Sequence, residues 1–316
     1  MRYGGIVIHD TECGDCWARR LEGSGLNLLG ISPAGGANAH LSLAACAEYV
    51  KTSRFHEFRE RMNQAGIAVE FEMHALSWLL PREMFDSRPE WFREVDGART
   101  PDLNCCATDA DALAYIADRA AELARMFPSD THRYHFWQDD GVGARCSCAK
   151  CRELSASDQA LAIMNAIAEG VLRTDPEGRT AYLAYYGTMP PPVAVAPSPH
   201  VFLEFAPMAR DFGRPLSDPS SELNAKQMRH LPELLALFGK EDAKALDYWA
   251  DNSLFSNWTK PPKRFALDAG VCRADVAEYK KIGFTSVTSF GCYLGEDYEA
   301  LWGAPLLDEY FAALRP

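Results

Sequence analysis

Two carboxylates stand side by side at Asp139 and Asp140, just after the strand-like run Tyr134–Gln138 and just before Gly141 and Gly143. A strand fixes the backbone of the acids at its end, and a glycine turn beside them leaves room for a ligand, so the pair is placed for acid–base chemistry. A carboxylic acid donates a proton near neutrality only where burial or a neighbouring anion raises its proton affinity, and adjacent aspartates can do this for one another. Alternation along a regular strand sends the two to opposite faces, with Asp140 sharing the face of Phe136 and Gln138. Whichever enters a cavity is the candidate acid, and the other orients substrate or anchors the loop. The plain alternative is that both cap the turn or pair with Arg145 and Lys150.

The same turn runs into Cys146-x-Cys148-x-x-Cys151, three thiols in one loop. Tetrahedral zinc needs a fourth ligand, and Cys105 or Cys106, before the preceding helix, can supply it. We expect a structural zinc on Cys106, Cys146, Cys148 and Cys151, with no cofactor required for the chemistry itself; reduced free thiols are the alternative. Cys13-x-x-Cys16 is a lone pair of thiols with no second pair near it, while Cys46, Cys272 and Cys292 read as small buried apolar residues.

The elements that must position these groups alternate along the chain. Apolar runs at Tyr3–Ile8, Leu26–Ile31, Ile67–Leu76, Tyr134–Gln138, Thr180–Tyr186, Val201–Phe205, Lys244–Trp249 and Phe284–Phe290 read as strands. Between them lie helical patterns over Ala44–Ala65, Asp109–Phe127, Ser157–Leu172, Glu222–Phe238 and Cys272–Ile282, with Leu306–Leu314 closing the chain. Eight strands alternating with helices predict an α/β protein of the (β/α)8 TIM barrel type, a single domain over 1–316. The loops 77–104 and 141–153 are expected as insertions at its C-terminal face. A doubly wound open sheet would carry a glycine-rich loop after its first strand, and His9-Asp10-Thr11-Glu12 is no such loop.

Active sites of such barrels lie at the C-terminal strand ends. Those ends offer His9, Asp10, Ser32, Glu72, His74, Asp139, Asp140, Tyr185, Tyr186, Glu204, Asp247, Trp249, Asp251, Glu296 and Asp297, and the long loop adds Trp78, Trp91 and Phe92. Carboxylates mixed with aromatics fit glycoside hydrolysis, where acids protonate the leaving oxygen and support an oxocarbenium-like centre while rings stack on sugars. Glu70, Glu72 and His74 share one face of the third strand; acids inside a barrel need partners, so an interior ion-pair network is the alternative for them. A carbohydrate-binding barrel without turnover, and a metal-dependent hydrolase or isomerase using His9, His74 and the acids, are the competing functions.

A net charge of −12 without a Lys/Arg cluster argues against a nucleic-acid partner. No window is long and apolar enough for a membrane span, and the N-terminus has no signal-peptide pattern, so a soluble cytoplasmic protein is expected. The expected partner is a carbohydrate substrate, and self-association into a homo-oligomer is left open.

Pro89–Phe92, Leu103–Asp109, the Gln138–Gly141 turn leading into the cysteines, and Tyr182–Pro191 resemble the bacterial family known as domain of unknown function 4838, over roughly Trp78 to the C-terminus. The resemblance implies a (β/α)8 barrel related to β-hexosaminidases and α-glucuronidases, with N-acetylhexosaminides among the substrates. In the related hexosaminidases an adjacent Asp-Glu pair serves, the first residue holding the acetamido group and the second acting as acid. Carried to this chain, that gives Asp139 the orienting role and Asp140 the acid role, with a side chain one methylene shorter than glutamate. A conventional pair drawing its second carboxylate from Glu204 or Asp247 is the other arrangement.

Overall fold

The computed structural model describes every residue of the chain except 142 and 267. Eight parallel strands close into a barrel: β1 (Tyr3–His9), β2 (Leu28–Ser32), β3 (Ala68–His74), β4 (Arg133–Trp137), β5 (Arg179–Ala184), β6 (Val201–Phe205), β7 (Lys244–Asp247) and β8 (Ser286–Phe290). Each strand pairs with its neighbours in chain order, and β1 closes the ring against β8 from Tyr3↔Ser286 to Val7↔Phe290. The (β/α)8 architecture expected from the alternating pattern is the one observed. The loop expected over 141–153 includes residue 142, which lies outside the described residues.

Helices cover the outer face of the strands, and the main apolar core, including Ile6, Ile8, Leu29, Phe71, Phe136 and Phe205, lies between the two layers. Fully burying such side chains stabilises the fold by roughly 1.5–3 kcal/mol each. Capping fixes where several helices begin. Asp109 accepts from the Ala112 N–H ahead of Ala110–Met126, and Ser155 forms a capping box with Asp158 ahead of Ala156–Leu172. Those two helices cross closely at Gly170, where an added Cβ would overlap the carbonyl oxygen of Ala117. The single helix expected over Ala44–Ala65 is two, Ala39–Tyr49 and Ser53–Gln64. The Thr52 side chain, capping the second helix at the Phe55 N–H, provides the local stop that periodicity alone did not register.

The interior of the barrel is polar at mid-height. Glu70 and Glu72 from β3, Arg133 and His135 from β4, Glu204 from β6 and Lys244 from β7 all point inward and are buried. Lys244 Nζ lies 2.6 Å from Glu72 and 3.1 Å from Glu204, while His135 bridges Glu204 (2.8 Å) and Glu70 (3.1 Å). Three acids thus face three bases, which offsets much of the cost of removing each charge from water. Burial alone would raise the proton affinity of Glu204, but His135 and Lys244 outweigh it and hold the carboxyl down to about 2. Glycine at position 30 makes the space, because any Cβ there would overlap Glu72 Oε1 and sit 2.9 Å from Val7 Cγ2. Above this layer the Trp137 indole donates to Glu204 at 2.7 Å and floors the open end.

Candidate active site

At the C-terminal mouth, over Trp137, lies a cleft of about 580 Å³. Two carboxylates line it. Asp140 follows β4, and Asp251 follows β7, three strands further round the ring. Asp251 accepts through Oδ1 from the Ser253 N–H (3.1 Å), the Ser253 hydroxyl (2.5 Å) and the Leu254 N–H (3.3 Å). Its Oδ2 makes no hydrogen bond among the described residues. Burial raises the proton affinity of Asp251, against the pull of these donors and of His9. Asp140 is half-buried. A Cβ placed on Gly35 would lie 3.2 Å from Asp140 Oδ2 and 3.7 Å from His74 Nε2, so both groups converge on one gap that glycine keeps open. Burial and then the charge of Asp140 push the nearby Tyr185 phenol up.

Two histidines enter the cleft in a fixed orientation. His9 Nδ1 donates to the Ser32 carbonyl at 3.0 Å and His74 Nδ1 to the Gln138 carbonyl at 2.6 Å. Each ring therefore keeps Nε2 free, as an acceptor for a hydroxyl when neutral and a donor when protonated. Aromatic walls come from Tyr185, Tyr186, Tyr248, Trp258 and Tyr293. Three of these hold left-handed backbone, Tyr186 at φ 44°, Trp258 at φ 52° and Tyr293 at φ 63°. Such a conformation costs a non-glycine residue on the order of 1–3 kcal/mol, so the surrounding structure must hold these three in place. Trp258, 58% exposed, presents an indole face to solvent at the rim.

Several residues read as site residues from the strand-end pattern are placed elsewhere. Asp139 is buried and accepts from the Ser77 N–H (2.8 Å), the Asn104 N–H (2.6 Å) and Arg82, so it clamps the 77–104 loop and is not free to orient a substrate. Strand alternation did not decide between the two aspartates, because β4 ends at Trp137 and the chain then turns. Glu204 and Glu72 belong to the interior charge network below the floor. On β7 the inward residues are Lys244, Leu246 and Tyr248, so Asp247 and Trp249 face the helices. There Asp247 binds Arg210 (2.9 Å) and Tyr279 (3.0 Å), and the Trp249 indole binds Asp275 (2.9 Å). Asp10 lies against Cys46 behind β1. Glu296 is exposed at the start of a surface helix, Glu296–Trp302. Trp78 stacks under Arg119 at 4.1 Å, and Trp91 and Phe92 are buried beneath the loop, so none of the three is a sugar platform.

The residues brought together are therefore His9, His74, Asp140, Tyr185, Tyr186 and Asp251, all from the strand-end set. Tyr248, just past β7, continues the face of Lys244 and Leu246, but alternation alone does not mark that face as the inner one. Trp258 and Tyr293 carried no signal, because their place at the rim depends on left-handed loop conformations that those residue types do not announce.

Away from the cleft, the sulfurs of Cys106, Cys146, Cys148 and Cys151 are buried and all lie within 4.8 Å of one another. A second acidic group, Glu70, Glu72 and His135, is equally compact, but Lys244 and Arg133 already stand against it. Cys13 and Cys16 are buried free thiols.

A closed parallel barrel with its cleft at the C-terminal mouth is the framework of many glycoside hydrolases, and solved structures place this chain among them in fold. It superposes on a β-N-acetylhexosaminidase from Bacteroides fragilis with a TM-score of 0.57 at 13% identity, over 99% of this chain and 66% of that one. This chain thus spans just under two thirds of that enzyme. A glycoside hydrolase family 5 enzyme from Prevotella bryantii, solved with a xyloglucan tetradecasaccharide, gives 0.55 at 12% identity over 99% and 95% of the two chains. A broad-specificity endoglucanase from Clostridium acetobutylicum gives 0.51 at 11% over 95% and 89%. No curated protein matches the sequence. The chain belongs to the family described as domain of unknown function 4838, whose model matches residues 42–233 of its 316. The match begins earlier and ends sooner than the Trp78-to-C-terminus extent read from the motifs. No helix among the described residues is long and apolar enough to cross a membrane.

Proposed function

We propose that this protein is a glycoside hydrolase that cleaves a glycan or oligosaccharide with Asp140 and Asp251 as its two carboxyl groups. The observation that carries the reading is that these acids face one cleft of about 580 Å³, large enough for sugar rings and walled by aromatic side chains. Asp251, whose burial raises its proton affinity, gives its proton to the leaving oxygen as the glycosidic C–O bond breaks. Asp140, beside His74, is the partner that supports the anomeric centre or activates the water that attacks it. The proton returns from that water, so glycoside plus water yields a free sugar and an alcohol. His9 and His74 accept sugar hydroxyls through Nε2, while Trp258 and Tyr186 stack on ring faces. With Asp139 committed to Arg82 and Asn104, N-acetylhexosaminides would be cleaved by this pair and not by an acetamido group held at Asp139.

The test is turnover of an aryl glycoside panel by Asp140→Asn and Asp251→Asn, with folding followed by circular dichroism. Each variant is expected to lose about 10²–10⁴-fold in kcat/KM while keeping the fold. Asp251→Asn recovers most of its rate on 2,4-dinitrophenyl glycosides, whose leaving group needs no proton, and Asp140→Asn does not. Rates within about 2-fold of the parent for both variants would remove the mechanism. Glycan binding by the parent protein without turnover of either anomer would make it a carbohydrate-binding barrel.

A further inference from the structure

We infer that Cys106, Cys146, Cys148 and Cys151 bind one zinc ion as four thiolates, and that this ion holds the loop after β4 where it presents Asp140 to the cleft. Four sulfurs at about 2.3 Å from a tetrahedral centre stand about 3.8 Å from one another. Cys106 Sγ lies 3.8 Å from Cys148 Sγ and 3.7 Å from Cys151 Sγ. Those separations are nearly twice a disulfide bond of about 2.05 Å. They match the edge of a metal-centred tetrahedron.

The donor chemistry narrows the metal. The group is all sulfur, with no carboxylate or imidazole, which disfavours magnesium, calcium and copper(II) and suits zinc. Four protein ligands leave no open position, so the ion is structural and the hydrolytic chemistry stays with the carboxylates. Binding sends the thiol protons to solvent and leaves a doubly negative centre. Polar groups around the sulfurs answer that charge: the Glu94 N–H donates to Cys146 Sγ at 3.3 Å, the Arg99 guanidinium approaches it at 3.8 Å, and the Thr108 hydroxyl lies 3.2 Å from Cys151 Sγ. Outer donors of this kind are what a thiolate–metal site needs to be stable in a protein interior.

The position of the four residues gives the ion its second role. Cys106 ends the loop that leaves β3, and the other three lie in the loop that leaves β4. The same two loops are tied by Asp139 to Asn104 and Arg82, and by the Asn104 amide to the Ala144 carbonyl at 2.7 Å. Gln159 then grips the backbone of Cys146 at 2.8 Å and 3.0 Å and the Cys151 carbonyl at 2.8 Å. In sequence Asp140 lies between the Asp139 clamp and the cysteine cluster, and an ion on the four sulfurs would add to the Asn104 and Gln159 bonds that hold Ala144, Cys146 and Cys151. This second role rests on the reading of Asp140 as a cleft carboxylate; the metal site does not.

Elemental analysis of the full chain, purified under reducing conditions, is expected to find about one zinc per chain. Exchange with cobalt(II) should give the intense visible bands of tetrahedral thiolate coordination. Cys148→Ser should drop the zinc content below about a tenth, while Cys105→Ala, at the neighbouring thiol outside the group, keeps it. Wild-type protein with less than about a tenth of a zinc and no such cobalt spectrum, or with iron in its place, overturns the assignment whatever the activity. Hydrogen exchange over residues 138–155 separates the positioning role. Zinc removal by a mercurial should speed exchange there by at least about 10-fold, and unchanged exchange overturns it. Neither readout uses turnover, so a silent Asp140→Asn would sink the hydrolase reading and leave the zinc site standing.

Discussion

Replacing Asp139 by alanine separates a clamp from a catalyst. The carboxylate accepts from the Ser77 N–H, the buried Asn104 N–H and the Arg82 guanidinium. A hydrogen bond to a charged group is worth roughly 1.5–3 kcal/mol, and a buried donor left without a partner loses its solvation as well. Asn104 is only 6% exposed, so water does not replace its acceptor, whereas Ser77 and Arg82 are partly reachable by solvent. Summing one full loss and two partial ones gives about 4 kcal/mol. With an unfolding entropy of about 2.1 cal/mol/K per residue, a chain of 316 residues changes its Tm by about 1.5 °C per kcal/mol, so the expected fall is about 6 °C. Asp139→Asn keeps one acceptor oxygen and should lose about half as much. Scanning calorimetry reads both values, with turnover measured well below either transition. A Tm within about 1 °C of the parent, combined with a rate loss as deep as that of Asp140→Asn, would refute the clamp and return Asp139 to the chemistry.

The barrel interior yields two further expectations. Gly30→Ala forces a methyl group into Glu72 Oε1 within the charge network, so it should cost about 1–3 kcal/mol by urea denaturation. Gly187→Ala, which meets nothing within 4 Å, should stay within about 0.5 kcal/mol; equal effects would mean that the interior is not tightly packed. Glu204 is depressed from 4.5 to about 2, so its contribution to stability is complete above pH 4.5 and disappears as the pH falls toward 2. That interval corresponds to about 3 kcal/mol, and Glu204→Gln should flatten the decline in denaturation midpoint over the same range. An unchanged slope in the variant would place the acid sensitivity elsewhere.

All eight strands were legible because each is a short apolar run bounded by turn residues, and their alternation with helices leaves few closed topologies. The membership of the site was legible only in part. Strand-end position selects His9, His74, Asp140, Tyr185 and Asp251, but it selects Asp10, Glu72, Asp247 and Trp249 equally well. Side-chain direction sorts the two sets. On β7 the two-residue period of a strand puts Asp247 on the face opposite Lys244 and Leu246, and only the burial of Lys244 among the interior acids shows that this face is the outer one. For Asp139 and Asp140 no such count works, because the strand stops short of both.

What the chain determined unaided is therefore the barrel, the polar character of its C-terminal mouth and the grouping of its loop cysteines, since periodicity and local spacing are properties of neighbouring residues. Tertiary structure alone decided that Asp251 shares the cleft with Asp140, that Asp139 is used up by Arg82 and Asn104, and that Trp258 and Tyr293 reach the rim. Those outcomes depend on loops distant in sequence meeting at one end of a closed ring, and on left-handed backbone held by its surroundings, neither of which leaves a periodic trace.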